Sequence, residues 1–171
     1  MQGIADLRKP LIRRLELADE QATDDLGIAI AAALPEDFAG WSILLQGDLG
    51  AGKSTLARAM LHALGHQGRV PSPTYTLVEP YQFSRGDVYH IDLYRIASAD
   101  ELEFLGWSDL SSGLKLIEWP ERVPFLTDEA DLRVQLGYAA TGRVARLAGL
   151  SERGTNLLSQ LPGLTGNPVT S

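Results

Sequence analysis

The chain has 171 residues, a formal net charge of −7 and no cysteine. Disulfides and thiolate metal sites are therefore excluded. A chain this acidic is a poor general binder of phosphate backbones, so any nucleic acid is expected to be held by a partner. Residues 1–17 lack the apolar stretch of a signal peptide, and the longest apolar run, Ile28–Leu34, is too short to cross a bilayer. The expectation is a cytoplasmic protein with no membrane contact, folded as one domain over residues 1–161 with a mobile tail over 162–171.

In chain order, Leu11, Arg13, Leu15 and Leu17 lie on one face of a first strand. Asp19 opens a helix in which Ala22, Leu26, Ala29, Ile30 and Ala33 recur at helical spacing, and Pro35 ends it. Trp41–Leu45 is a short apolar strand running into Gly47, and Lys53–Leu64 is a helix closed by Gly65. Residues 66–74 are rich in Gly, Pro and Ser and read as a loop. Strands are expected over Tyr75–Glu79 and Val88–Leu93. Ser98 and Glu101 have the spacing of a capping box, which would open a short helix over Ala99–Leu105. Leu114–Ile117 is another buried strand. Leu132, Val134, Leu136 and Tyr138 alternate with polar residues as a half-buried strand. A turn at Thr141-Gly142 leads to an antiparallel partner over Arg143–Ala148, and Ser151 caps a last helix ending near Gln160.

Between the second strand and its helix, Gly47, Asp48, Leu49, Gly50, Ala51, Gly52, Lys53 and Ser54 match G-x-x-x-x-G-K-[ST] in full. The spacing serves a physical purpose. Glycines let the backbone curl so that successive N–H groups face inward around phosphate oxygens, and the following helix adds its positive end. The Lys53 ammonium then reaches the β- and γ-phosphates, and the Ser54 hydroxyl is placed to coordinate Mg²⁺. The whole segment through Thr55 is read as the nucleotide-binding loop, with Mg-ATP as its ligand. Strands alternating with helices around this loop imply an α/β fold. We expect a P-loop NTPase-type layered sheet, mostly parallel with an antiparallel C-terminal hairpin.

Such a loop needs an acid at the end of a neighbouring strand to hold metal or handle water. Val88–Asp92 ends in an aspartate and Leu114–Glu118 in a glutamate, and parallel strands bring both ends to one sheet edge. Spacing leaves open which of Asp92 and Glu118 touches metal. Thr74 lies where a switch loop would sit. His90, two residues before Asp92, either orients water or packs, and His62, His66 and His90 lack the clustering of a zinc site.

The segments GDLGAGKST (47–55), SPTYTLVEPY (72–81), HIDLYR (90–95), ELEFLG (101–106) and LIEWPE (116–121) occur in this order. Together they resemble the TsaE (YjeE) family, bacterial P-loop ATPases of tRNA threonylcarbamoyladenosine synthesis, over about residues 19–150. The resemblance implies binding to a TsaD–TsaB heterodimer, with tRNA contacted only through that complex. It assigns Mg²⁺ to Ser54 and Glu118, catalysis to Asp92 beside Lys53, and the switch loop to Thr74. It places Trp119 near the nucleotide, and Glu20, Gly142 and Arg143 on the base side. Ser54 stands where the family usually has Thr, which supplies the same hydroxyl.

No arginine finger in cis is evident, with Arg95 and Arg143 as the candidates, so slow hydrolysis by the isolated chain is expected. The runner-up reading is a small-molecule P-loop kinase, with Arg143, Arg146 and Arg153 as a lid. A nucleotide-sensing adaptor that does not depend on hydrolysis is the non-enzymatic alternative. No N-K-x-D guanine motif occurs, which disfavours a GTPase.

Overall fold

The computed structural model describes residues 9–163. Apolar runs become strands β1 (Ile12–Leu17), β2 (Ser42–Gln46), β3 (Val78–Phe83), β4 (Gly86–Asp92), β5 (Leu114–Glu118), β6 (Leu132–Tyr138) and β7 (Arg143–Gly149). The helices are α1 (Glu20–Ala33), α2 (Lys53–Ala63), a single turn α3 (Leu126–Glu129) and α4 (Glu152–Gln160). One seven-stranded sheet results, ordered β1-β7-β6-β2-β5-β4-β3. The central pairs β6–β2, β2–β5 and β5–β4 are parallel, and the outer pairs β1–β7, β7–β6 and β4–β3 are antiparallel.

Strand alternation sends neighbouring side chains to opposite faces, and the two faces carry different cover. Ile43, Leu45, Leu116, Val134 and Leu136 pack with Leu26 and Ile30 of α1, Leu56 and Met60 of α2, and Leu157 and Leu158 of α4. Leu44, Ile91 and Ile117 pack with Leu102, Leu110, Val123 and Leu126 on the other side. The buried side of α1 is Thr23, Leu26, Gly27, Ile30 and Ala31, rotated slightly from the expected stripe. The rotation follows from Gly27, where a Cβ would lie 2.8 Å from Ala59 Cβ, so the two helices meet backbone to backbone. Asp19 caps α1 by accepting from Ala22 N–H, and Ser151 caps α4 by accepting from Gly154 N–H.

Three local expectations are corrected. The strand expected over Tyr75–Glu79 begins three residues later, at Val78, and runs through Pro80 to Phe83. It is the sheet edge, pairing only with β4, and an edge strand tolerates a proline that a central one cannot. The segment Ala99–Leu105 winds as a 3₁₀ helix, and Ser98 makes no side-chain cap. Glu101 accepts from Ala97 N–H at 3.2 Å instead of closing the box on Ser98. A second 3₁₀ turn, Trp107–Ser112, follows where no element was expected. The tail expected over 162–171 falls mostly on residues 164–171, outside the described residues. Among the described residues no helix is long and apolar enough to cross a membrane.

A buried carboxylate fastens the end of the sheet opposite Gly47. Asp131, 3% exposed, accepts from Ser42 N–H (3.0 Å), Ser151 Oγ (2.7 Å) and both Nε (2.7 Å) and Nη2 (2.9 Å) of Arg153. Asp131→Ala leaves the Ser42 N–H without its acceptor while Arg153, 47% exposed, turns to solvent, a loss of about 2–3 kcal/mol. Thermal unfolding should show a fall in Tm of roughly 10 °C, the shift such a loss produces in a chain of this length.

Candidate functional site

The carboxyl ends of β2, β5 and β4 lie side by side, because Leu45 pairs with Glu118 and Glu118 with Asp92 in parallel register. Everything that leaves these ends converges on one edge. Beyond β2 the chain turns through Gly47, whose φ of 144° is open to glycine alone and whose Cβ would lie 2.5 Å from the Leu136 carbonyl. Gly52, at φ 110°, is the N-cap residue of α2. The loop therefore ends at the positive end of α2, with Lys53 and Ser54 in its first turn.

Lys53 is 5% exposed. Its ammonium donates to the Gly47 carbonyl and, at 3.0 Å, to that of Asp48, and it sits 4.3 Å from the centre of the Trp119 ring. Burial pulls its pKa below the ordinary lysine value, and Glu118, Glu121, Asp92 and Asp48 oppose that shift. Trp119 adopts a left-handed φ of 56° directly after β5, which turns its ring back over the loop and against Tyr94 at 4.9 Å.

Asp92 and Glu118 are both 3% exposed. Burial raises the pKa of Asp92 above the ordinary aspartate value, as does the neighbouring Glu118 charge, while the Tyr94 N–H (2.8 Å) and Thr74 Oγ1 (3.3 Å) bonds lower it. Glu118 Oε1 accepts from Ser54 Oγ at 3.0 Å and lies 2.8 Å from His90 Nε2. His90 is thus the residue that the sequence reading undervalued. It is fully buried and braces the carboxylate of Glu118 from below. Its i, i+2 spacing to Asp92 was the available signal, since it puts both side chains on one face of β4.

These residues line a cleft of about 290 Å³ bounded by Leu49, Gly50, Gly52, Lys53, Ser54, Thr55, Thr74, Asp92, Glu118 and Trp119, among others. A second cleft of about 210 Å³ adjoins it across Gly50, Gly52 and Thr55, and is lined by Glu20, Ala51, Gly142 and Arg143. Of the expected residues, Gly47 and Asp48 line neither cleft, and the others line one or both of these adjoining cavities. Within them, Glu20 is paired with Arg58 at 3.1 Å. Arg143 donates to the Gly50 carbonyl at 3.2 Å. Arg95 lies 5.1 Å from the Tyr75 ring. The three arginines of the kinase-lid expectation do not converge: Arg146 sits exposed within β7 and Arg153 is held by Asp131 at the far end of the sheet.

The geometry can be set beside known proteins. The family described as "Threonylcarbamoyl adenosine biosynthesis protein TsaE" matches residues 17–146. The chain is similar to the tRNA threonylcarbamoyladenosine biosynthesis protein TsaE of Haemophilus influenzae, 46% identical over 119 residues, covering 68% of this chain and 75% of that one. Its counterpart in Synechocystis is 42% identical over 119 residues, covering 66% of this chain and 73% of the relative. The crystal structure of Bacillus subtilis YdiB shares the fold with a TM-score of 0.70 at 22% identity, over 89% of this chain and 95% of that one. Motif order, sheet-edge geometry and similarity agree, and the chain belongs to the TsaE family, which serves threonylcarbamoyladenosine biosynthesis in tRNA.

Proposed function

We propose that this chain is a Mg²⁺-dependent ATPase that binds ATP on residues 47–55 and works with TsaB and TsaD in forming threonylcarbamoyladenosine in tRNA. The observation that carries the chemistry is the pairing of Asp92 with Glu118 at the sheet edge, with Ser54 Oγ already on Glu118. A hydroxyl and a carboxylate are hard oxygen donors of the kind Mg²⁺ takes from a protein when phosphates and water complete its shell. When bound, Mg²⁺ offsets charge on the β- and γ-phosphoryl oxygens.

The chain's own groups supply the rest. Lys53 exchanges its loop carbonyls for phosphate oxygens, and the loop amides surround the phosphates from below. His90 fixes the orientation of Glu118. Asp92, adjacent to Glu118 but hydrogen-bonded elsewhere, accepts the proton of attacking water or orients it. Thr74 touches Asp92 from the 72–77 loop and would leave it when the loop turns toward the γ-phosphate. The net charge of −7 accords with tRNA being held by the partner subunits.

Reconstitution with purified TsaB and TsaD tests the proposal. Wild-type chain plus Mg-ATP should support many rounds of tRNA modification, and omission of the chain should arrest the reaction after about one. Multiple rounds sustained by a variant that binds but does not hydrolyse ATP would favour the adaptor reading instead. Within the site, Glu118→Gln should raise the Mg²⁺ concentration needed for half-maximal ATP binding about tenfold or more, because a first-coordination charge is lost while shape is kept. Titration of ATP at varied Mg²⁺ measures this.

A further inference from the structure

The tip of the β6–β7 hairpin touches the outer side of the phosphate loop. Tyr138 and Arg143 are cross-strand partners, the last pair before the turn. The Tyr138 hydroxyl donates to the Leu49 carbonyl, and Arg143 Nη2 donates to the next carbonyl, that of Gly50, at 3.2 Å. The guanidinium also lies 4.3 Å from the Tyr138 ring centre, so each side chain holds the other in place. The hairpin is itself anchored without help from the loop. Gly142 packs so closely on β1's end that a Cβ there would lie 2.2 Å from the Leu17 carbonyl and 2.7 Å from that of Ala18. The contact to the loop is also tight, since a Cβ on Gly50 would lie 2.9 Å from the Tyr138 hydroxyl.

A planar trans peptide points its N–H opposite to its C=O. Among the described residues no peptide is cis. Pinning the Leu49 and Gly50 carbonyls toward the hairpin therefore turns the N–H groups of Gly50 and Ala51 away from it. We propose that Tyr138 and Arg143 form a latch that sets the direction of the phosphate loop's amides in advance of ligand, making Tyr138 a positioning residue for nucleotide binding. The inference rests on the proposed binding of nucleotide at residues 47–55. Without the latch, loop peptides rotate between orientations, and nucleotide has to select the competent one.

Tyr138→Phe tests this, since it removes one hydroxyl from a side chain that is 53% exposed and leaves the ring under Arg143. In nucleotide-free full-length protein, hydrogen exchange in peptides spanning residues 47–53 should quicken about three- to tenfold, the factor for one ordinary hydrogen bond, with Tm unchanged. Affinity for a fluorescent ATP analogue in Mg²⁺ should fall by a similar factor, the competent fraction of free protein being reduced. Arg143→Lys, which keeps charge but loses the planar fork, should show the same local exchange. Unchanged exchange at the loop overturns the latch. Faster exchange across the whole sheet with a lower Tm also overturns it, because the pair would then be a general structural contact. Faster loop exchange with unchanged affinity overturns the positioning role. If wild-type protein binds no nucleotide, the functional reading fails, and the exchange measurement alone still decides whether the latch exists.

Discussion

Asp92→Asn should slow ATP hydrolysis by about 10²–10⁴-fold, the range for loss of a positioned acid–base group, while Mg-ATP affinity stays within a few-fold of wild type. The same variant should be more stable than its parent in the absence of nucleotide and metal. The two effects have one origin. Asp92 is 3% exposed, and burial holds its pKa above the ordinary value, so the folded state binds its proton more readily than the unfolded chain does. With more protons bound in the folded state, stability falls as pH rises through the interval between the two pKa values. Above that interval the buried charge is a standing cost, relieved only on acidification or by a neutral replacement. Asparagine keeps the oxygen that accepts from Tyr94 N–H. Thr74 loses Asp92 as an acceptor but retains Ser72 Oγ at 2.8 Å. A rise in Tm is the expected result, each kcal/mol being worth about 2–4 °C in a chain this long. The kcat/KM of the wild-type protein, which reports the free enzyme, should correspondingly decline on the acid side at a pH above the usual aspartate range. Full hydrolysis by Asp92→Asn would mean that another group handles the water.

Lys53→Ala should weaken Mg-ATP binding by about a hundredfold or more. An ammonium bridging two phosphates makes charge-assisted hydrogen bonds of about 1.5–3 kcal/mol each, and every 1.4 kcal/mol is about a factor of ten. Stability should change far less. The lysine's pKa is lowered by burial, so its charge is a cost in the folded state that is present at neutral pH and relieved as pH rises through the lowered value. Removing the side chain removes that cost, but leaves the Gly47 and Asp48 carbonyls without their donor. A variant that folds with near-parental Tm and binds nucleotide normally would remove Lys53 from the phosphate site.

These residues were legible in the sequence because each is fixed by local pattern. An apolar run ending in a glycine loop, and two others ending in Asp92 and Glu118, place their last residues at one edge once the strands are parallel. The hairpin from Leu132 to Gly149 was legible through alternation and a glycine turn. The opposite edge was not. Pro80 and Gln82 hide a strand that exists only because β4 pairs with it, and the Ser84-Arg85 turn between them carries little signal. Side-chain roles that depend on distant segments were also hidden. His90 meets Glu118 across 28 residues, and Tyr138 meets Leu49 across 89, and neither spacing is readable before the sheet order is known. Arg143 illustrates the same limit, since the family resemblance implied a base-side role, whereas its hydrogen bond to the Gly50 carbonyl, 93 residues away in sequence, is visible only in the fold.

Calorimetric titration of ATP into the full-length chain, with and without Mg²⁺, addresses the phosphate site most directly. The account predicts one ATP per chain with affinity that depends on Mg²⁺ and is lost in Lys53→Ala. Absence of binding by well-folded wild-type protein, or equal binding by the variant, would contradict it.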